Sequence, residues 1–394
     1  MTTLTPPSGL SGLARLRRRG QADEPAPLLH IDWFLVAIVA AIATFGLAMI
    51  WSTTNALTEL EGLSRTHYVL RQAIAFGLGI VAMIVTSAFD YRRWKDLWPL
   101  LYALIVPLLV AVLFLGGGQG GTTAWFDLGP LQFQPSEVAK LAIVIAVAGY
   151  CHVHRGELDA WRLAVALVVA GLTMGLTMMQ NDLGTTLVMG FCLVSILFVS
   201  GLRAVHMVVL LGLAGSLLAG LLVTDTFNAY RLERLTGFIN QDEVVDATEA
   251  SATEYNLDQS KEAIKAGGLW GQGFGQGPNT QNGFVPEQHT DFIFTAVGEE
   301  FGFAGAAALI GLYGLLCWRI WRAGKLAQDF LGTLLCIGVL AIFVFQIFEN
   351  IGMTMGIMPI TGVPLPFLSY GGSALIAYLA AVGIVLNVHL RRFS

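Results

Sequence analysis

The polar stretch Gly283-Phe284-Val285-Pro286-Glu287-Gln288-His289-Thr290-Asp291 runs straight into the apolar Phe292-Ile293-Phe294, with a carboxylate at the junction. Asp291 is the leading candidate catalytic residue. Glu287, Gln288, His289 and Thr290 crowd the approach to it, and Glu299 and Glu300 follow inside an apolar run, where ionisable groups mark function by default. The plainer alternative is a helix cap, since a short oxygen-bearing side chain at Thr290 or Asp291 can satisfy an orphaned backbone N–H of the helix that follows. His289 reads as a hydrogen-bond donor that positions the turn rather than a metal ligand, because no second histidine stands at ligand spacing.

Other charges sit where apolar runs begin or end. Glu137 and Lys140 are three apart, share a helix face and can pair. Two readings stay open: an ion pair that lets both enter a membrane boundary, or a Lys140 that faces an anionic substrate and is tuned by Glu137. Arg71, early in another run, is a snorkelling arginine or a second cation for such a substrate. Asp182, in Gln180-Asn181-Asp182-Leu183-Gly184-Thr185, has the simpler reading of a cap. Trp125, in a glycine-rich stretch, is an interfacial anchor or a face for a sugar ring. Glu349 and Asn350 close a run and can serve helix ends and nearby backbone.

Composition names the elements that must hold these groups. The 394 residues are 55% hydrophobic and 12% charged, with a mean hydropathy of +0.67, which makes this an all-α polytopic membrane protein. The net charge of −5 implies no nucleic-acid partner. The cysteines show neither zinc spacing nor a disulfide framework. Residues 1–31 read as a disordered cytoplasmic tail without a signal peptide's apolar core, and 32–394 as the transmembrane domain.

A bilayer core needs roughly 20 apolar residues per helix, and about ten such runs are expected. They lie near Trp33–Trp51, Tyr68–Ala88, Leu97–Leu115, Val138–Cys151, Leu163–Met179, Leu183–Ser200, Val205–Val223, Phe292–Trp318, Phe330–Ile351 and Leu375–Val388. With ten spans both termini share a side, and that side carries 15 of the 22 lysines and arginines; the other seven are Arg65, Arg71, Lys140, Arg231, Arg234, Lys261 and Lys265. The positive-inside rule then puts both termini in the cytoplasm. A large extracytoplasmic loop, 224–290, falls between spans seven and eight, long enough to imply function or disorder. Its acidic centre, Gln241 to Glu254, is expected to be mobile, Tyr255 to Ile264 to form a short amphipathic helix, and Gly267 to Gly277 to turn back to the membrane.

Several motifs stand in a telling order: Ala124-Trp125, then Phe133-Gln134-Pro135-Ser136-Glu137 with Lys140; Asp182-Leu183-Gly184-Thr185; Tyr230 and Arg234 before Phe238; Pro286-Glu287 with His289-Thr290-Asp291-Phe292; Glu299-Glu300 with Gly302; Asn350-Ile351-Gly352-Met353; and Gly362-Val363-Pro364-Leu365-Pro366-Phe367 through Gly371-Gly372-Ser373. Together they resemble the SEDS family (shape, elongation, division and sporulation), membrane glycosyltransferases that polymerise peptidoglycan, over Trp33 to Arg392. Gln259-Ser260-Lys261 followed by Gly267-Gly268 is more similar to the RodA branch than to FtsW. The resemblance implies a ten-span fold and a substrate, lipid II, a disaccharide-pentapeptide on undecaprenyl pyrophosphate. It implies that Asp291 matches the family's essential aspartate, that Trp125, Glu137 and Lys140 match positions around an extracytoplasmic cavity, and that a class B penicillin-binding protein is the partner. The chain departs from the family at Asn181, where proline usually stands, and in a longer, more acidic loop from Asn240 to Tyr255.

The implied reaction joins the 4-hydroxyl of one N-acetylglucosamine to the anomeric carbon of the growing chain's N-acetylmuramic acid, inverting α to β and expelling undecaprenyl pyrophosphate. It needs a base at the acceptor hydroxyl, a role for Asp291. It also needs positive charge at the leaving group, from Lys140 and Arg71, then Arg231 and Arg234, or from a divalent cation (Mg or Mn) carried by carboxylates and phosphates. His289 and Thr290 would line the same site in the outer half of the bacterial cytoplasmic (inner) membrane. Two rival readings use the same residues: a lipid flippase or other transporter lined by the buried charges, and an idle scaffold for a transpeptidase. An FtsW-like division role is the alternative within the family.

Overall fold

The computed structural model describes residues 31–117, 123–127, 129, 132–156, 158–203, 205–209, 212 and 252–392. Its long helices are α1 (Trp33–Thr53), α3 (His67–Ala88), α4 (Trp94–Leu115), α5 (Pro135–Val153), α6 (Ala160–Met179), α7 (Leu183–Val199), α8 (Ala252–Gly267), α10 (Ile293–Lys325), α11 (Phe330–Thr354) and α12 (Gly372–Leu390). Beside them stand short helices α2 (Asn55–Leu60) and α9 (Pro278–Gln281), a 3-10 turn at Tyr91–Arg93, helical residues 205–209 and a hairpin of β1 (Phe126–Asp127) and β2 (Gln132–Phe133), with Phe126 opposite Phe133.

Among the described residues eight helices are long and apolar enough to cross a membrane, and α7, at 17 residues, is a shorter apolar one. The span expected at Val138–Cys151 begins earlier, at Pro135, which suits the first turn because it needs no N–H. The span expected at Val205–Val223, the loop centre, Arg231 and Arg234 lie wholly or largely outside the described residues.

Helices α5, α11 and α12 form the interior, and α3, α4 and α6 turn most of their side chains outward. That division follows composition only loosely, since in lipid an outward face is as apolar as the inward one and helices associate through close packing. Contact between α3 and α12 is an example. A Cβ at Gly383 would sit 2.4 Å from the Met83 carbonyl oxygen, and the Thr86 hydroxyl donates to the Ala380 carbonyl across the same gap.

Helix α10 departs most from expectation. One helix of 33 residues would run about 50 Å at 1.5 Å per residue, well beyond a bilayer core. It is instead broken at Gly302, whose φ of 64° and ψ of −166° no L side chain adopts readily. A strap, residues 268–277, fills the break with its own backbone. Gln272 and Gly273 N–H donate to the Glu299 and Glu300 carbonyls, and Phe303 and Ala304 N–H donate to Gly268 and Leu269, each at 2.9–3.0 Å. The backbone groups freed by the break are thereby paired, as burial in apolar surroundings demands. The amphipathic helix expected at Tyr255–Ile264 is the longer α8, and its Ser260 hydroxyl lies 2.5 Å from that of Thr295 and donates to the Thr354 carbonyl.

Candidate active site

Asp291 lies at the end of the bundle where α1, α4, α6 and α11 finish and α3, α5, α7, α10 and α12 begin. The turn leading to it is built on Glu287, a non-glycine residue at φ 51°, whose carbonyl accepts from the N–H groups of Thr290, Asp291 and Phe292. Such a conformation costs on the order of 1–3 kcal/mol and persists where the surroundings enforce it. Thr290 Oγ1 donates to the Glu287 carbonyl and lies 3.0 Å from its Oε2. Neither Thr290 nor Asp291 is the N-cap residue of α10: Phe292 holds that position with no side-chain bond. The cap reading of this pair is therefore corrected. Asn350 Nδ2, at 2.8 Å from both, donates to the Asp291 and Val363 carbonyls and ties the turn to α11.

His289 positions this turn through its carbonyl and its ring. Tyr370 N–H donates to the His289 carbonyl at 2.9 Å, and the rings of Tyr68, His289 and Tyr370 meet pairwise with centroids 5.3–5.7 Å apart. Tyr68 donates to Glu61 Oε2 at 2.7 Å. Burial pushes the His289 imidazole below its ordinary pKa, against the pull of Glu287 and Glu61. Burial likewise pushes the Tyr370 phenol up, while the Arg71 guanidinium beside it pulls down. Arg71 also reaches the Gly129 carbonyl at 3.3 Å. His289 and Arg71 thus meet at Tyr370, with Thr290 and Asp291 next along the turn from His289. Sequence reasoning singled out neither tyrosine as a site residue: Tyr370 stood inside a quoted glycine-rich motif, but its partners lie far away in the chain.

Glu137 and Lys140 form a separate pair, 2.8 Å apart and both 1–2% exposed. The Lys140 ammonium lies 5.5 Å from the Tyr378 ring centroid, and Gln346 Nε2 donates to the Tyr378 hydroxyl at 2.9 Å. The ion-pair reading holds, and Lys140 presents no surface to a substrate in this conformation. Asp182 caps α7 as expected: Oδ1 accepts from Thr185 N–H at 2.9 Å, and Oδ2 accepts from Gln134 and Ser136, binding α7 to the start of α5. Asn181 before it adopts φ 62°, which asparagine tolerates and proline, fixed near −65°, cannot. Trp125 is half-buried and its backbone bridges Gly117.

Glu299 has a structural task. Its two oxygens accept from Asn279 N–H and Nδ2 and from Thr280 N–H and Oγ1, at 2.6–2.9 Å, which fastens α9 to α10. Glu300 accepts from Ser52, joining α1 to the same knot. Glu349 accepts from Thr361. Among the described residues no three His, Cys, Asp or Glu side chains gather to hold a metal ion.

The family model described as Cell cycle protein, covering FtsW, RodA and SpoVE, matches residues 32–393. The chain belongs to that family. A probable peptidoglycan glycosyltransferase FtsW of Trichlorobacter lovleyi is 33% identical over 373 residues, 93% of this chain and 94% of the relative. The peptidoglycan glycosyltransferase MrdB of Escherichia coli K12 is 34% identical over 368 residues, 92% and 95% of the two chains. A solved structure of a peptidoglycan synthase complex, concerned with coordinating polymerization and crosslinking, superposes with a TM-score of 0.77 at 33% identity, covering 92% of this chain and 99% of that one. Family membership covers the stretch that carries Asp291, His289, Tyr370 and Arg71.

Proposed function

We infer that the chain is a peptidoglycan glycosyltransferase of the cytoplasmic membrane that polymerises lipid II into glycan strands, in cell elongation and shape. The observation that carries this is Asp291, held at the mouth of the bundle by the Glu287 turn and an Asn350 clamp, inside the stretch that the family match covers. The Asp291 carboxylate takes the proton of the acceptor 4-hydroxyl as that oxygen forms its bond to the donor anomeric carbon. The bond from that carbon to the pyrophosphate oxygen breaks with inversion, and its electron pair leaves on undecaprenyl pyrophosphate. Arg71, whose guanidinium lies beside the Tyr370 phenol, balances the charge developing there. Glu137 and Lys140 support the wall behind. A divalent cation would share the charge of the pyrophosphate, and chelation followed by Mg or Mn addition measures that requirement.

The active site faces the outside, both termini lie in the cytoplasm and the chain crosses ten times. In support, α7 ends away from Asp291 while α8 docks at Asp291's end through Ser260, consistent with a crossing in the expected span Val205–Val223. A class B penicillin-binding protein is the partner we propose, in keeping with the synthase complex that the chain resembles. The elongation role rests on Gln259-Ser260-Lys261 and Gly267-Gly268, with division the alternative. A carrier would want an open polar break near mid-membrane, whereas the break at Gly302 is filled by strap backbone.

Polymerisation of labelled lipid II by purified protein, with and without the penicillin-binding protein, tests the reading. Wild type should make long strands, and Asp291→Ala and Asp291→Asn, folded and still binding partner, should lose at least about 100-fold, the usual scale of a lost general base. Normal polymerisation by both variants would move the base elsewhere, and an inactive wild type that moves lipid II across liposomes would make this a flippase.

A further inference from the structure

Tyr370 meets His289, Tyr68 and Arg71 at once. Its N–H is bonded to the His289 carbonyl, two residues before Asp291; its ring packs on His289 and Tyr68; its phenol lies beside the Arg71 guanidinium. Its own segment is anchored independently, because Gln72 Nε2 donates to the Ser369 carbonyl and Gln72 Oε1 accepts from Gly371 N–H, at 3.1 and 3.2 Å. Gln72 is the neighbour of Arg71 on α3. The residue before Tyr370 and the residue after it are thus bonded to α3 next to Arg71, while Tyr370 itself is bonded to the turn that carries Asp291. The Tyr68 ring, also on α3, packs on His289 in that turn, so two contacts join the two elements.

An arginine on a helix surface keeps much of its rotamer freedom, and placing its planar fork on a phosphate means giving that freedom up. A neighbouring phenol and the Gly129 carbonyl limit the guanidinium beforehand, so less is lost when an anion arrives. We propose that Tyr370 is a positioning residue that holds the Arg71 guanidinium at a fixed offset from Asp291, so that Arg71 receives the pyrophosphate of the lipid-linked donor while Asp291 meets the acceptor hydroxyl. Its phenol acts through Arg71, and its backbone and ring act through His289. The inference rests on the polymerase reading for the identity of the donor, but not for the binding of a pyrophosphate.

The test is a double-mutant cycle of Tyr370→Phe and Arg71→Ala, with two readouts. One is lipid II polymerisation over a range of substrate concentrations; the other is inhibition of that reaction, and direct binding, by inorganic pyrophosphate. Tyr370→Phe keeps the ring and backbone, so the protein stays folded. It should raise KM by about 3–10-fold with kcat within about twofold, the pattern of lost ground-state binding, and weaken pyrophosphate by a similar factor. In the Arg71→Ala background the same change should do nothing further. Additive losses, or an unchanged pyrophosphate affinity in a polymerising Tyr370→Phe protein, would overturn the inference and leave the polymerase reading intact. A wild type that binds pyrophosphate in a Tyr370-dependent way but makes no glycan would do the reverse.

Discussion

The Glu137–Lys140 pair shows how much one residue's setting changes its meaning. Spacing alone allowed the pair or a substrate-facing lysine, and burial decides for the pair, since an ammonium and a carboxylate at 1–2% exposure each need the other. Removing one partner of such a bridge leaves a buried uncompensated charge and costs about 3–5 kcal/mol, while replacing both is often near neutral. Glu137→Gln should therefore lower the melting temperature sharply in detergent, and Glu137→Gln with Lys140→Met should recover most of the loss. A double variant as unstable as the single one would show that the pair stabilises beyond mutual neutralisation. Local rules made this pair and the Asp182 cap legible in the sequence, because both interactions span three residues. They misled at Thr290 and Asp291, where the turn closed by the Glu287 carbonyl runs on through Phe292 and puts the N-cap one residue later.

Among the elements, α10 was legible as an apolar run but not as two helices joined by a foreign strap. Glycine inside a helical pattern is tolerated, and the break becomes visible only when the Gly302 neighbours are known. A Cβ there would lie 2.4 Å from Gly271 N and 2.8 Å from the Leu269 carbonyl. Gly302→Ala should expel the strap, adding φ strain on the order of 1–3 kcal/mol to the lost backbone bonds. Hydrogen exchange at the Gln272 and Gly273 amides reads this directly, and both should exchange much faster in the variant. Gly311→Ala is the control, because its Cβ would meet nothing within 4 Å and alanine favours a helix. Equal protection in wild type and Gly302→Ala would mean that the strap is held by its own turns rather than by the break.

At the scale of the whole molecule, the ends of the bundle differ in charge as the sequence predicted. The end away from Asp291 is laced by Asp32–Arg319, Arg92–Asp329 and Asp90–Arg391. Depth was legible because bilayer thickness acts on composition, whereas the tyrosine cluster depends on which helices meet and was not. The proposed ten-span topology makes a parity prediction that does not depend on the Asp291 chemistry. Asp127 and Lys325, both exposed, flank α5, α6, α7, the expected span Val205–Val223 and α10, an odd number of crossings. The native cysteines interfere little: Cys151, Cys192 and Cys336 are buried, and only the half-buried Cys317 needs replacing by alanine. A membrane-impermeant maleimide applied to intact spheroplasts should label Asp127→Cys at once and Lys325→Cys only after lysis. Labelling both from outside would remove one crossing between them and with it the tenth span. Labelling Lys325→Cys alone would invert the protein and place Asp291 on the cytoplasmic side, where a chain built to polymerise an exported lipid-linked sugar would have no substrate.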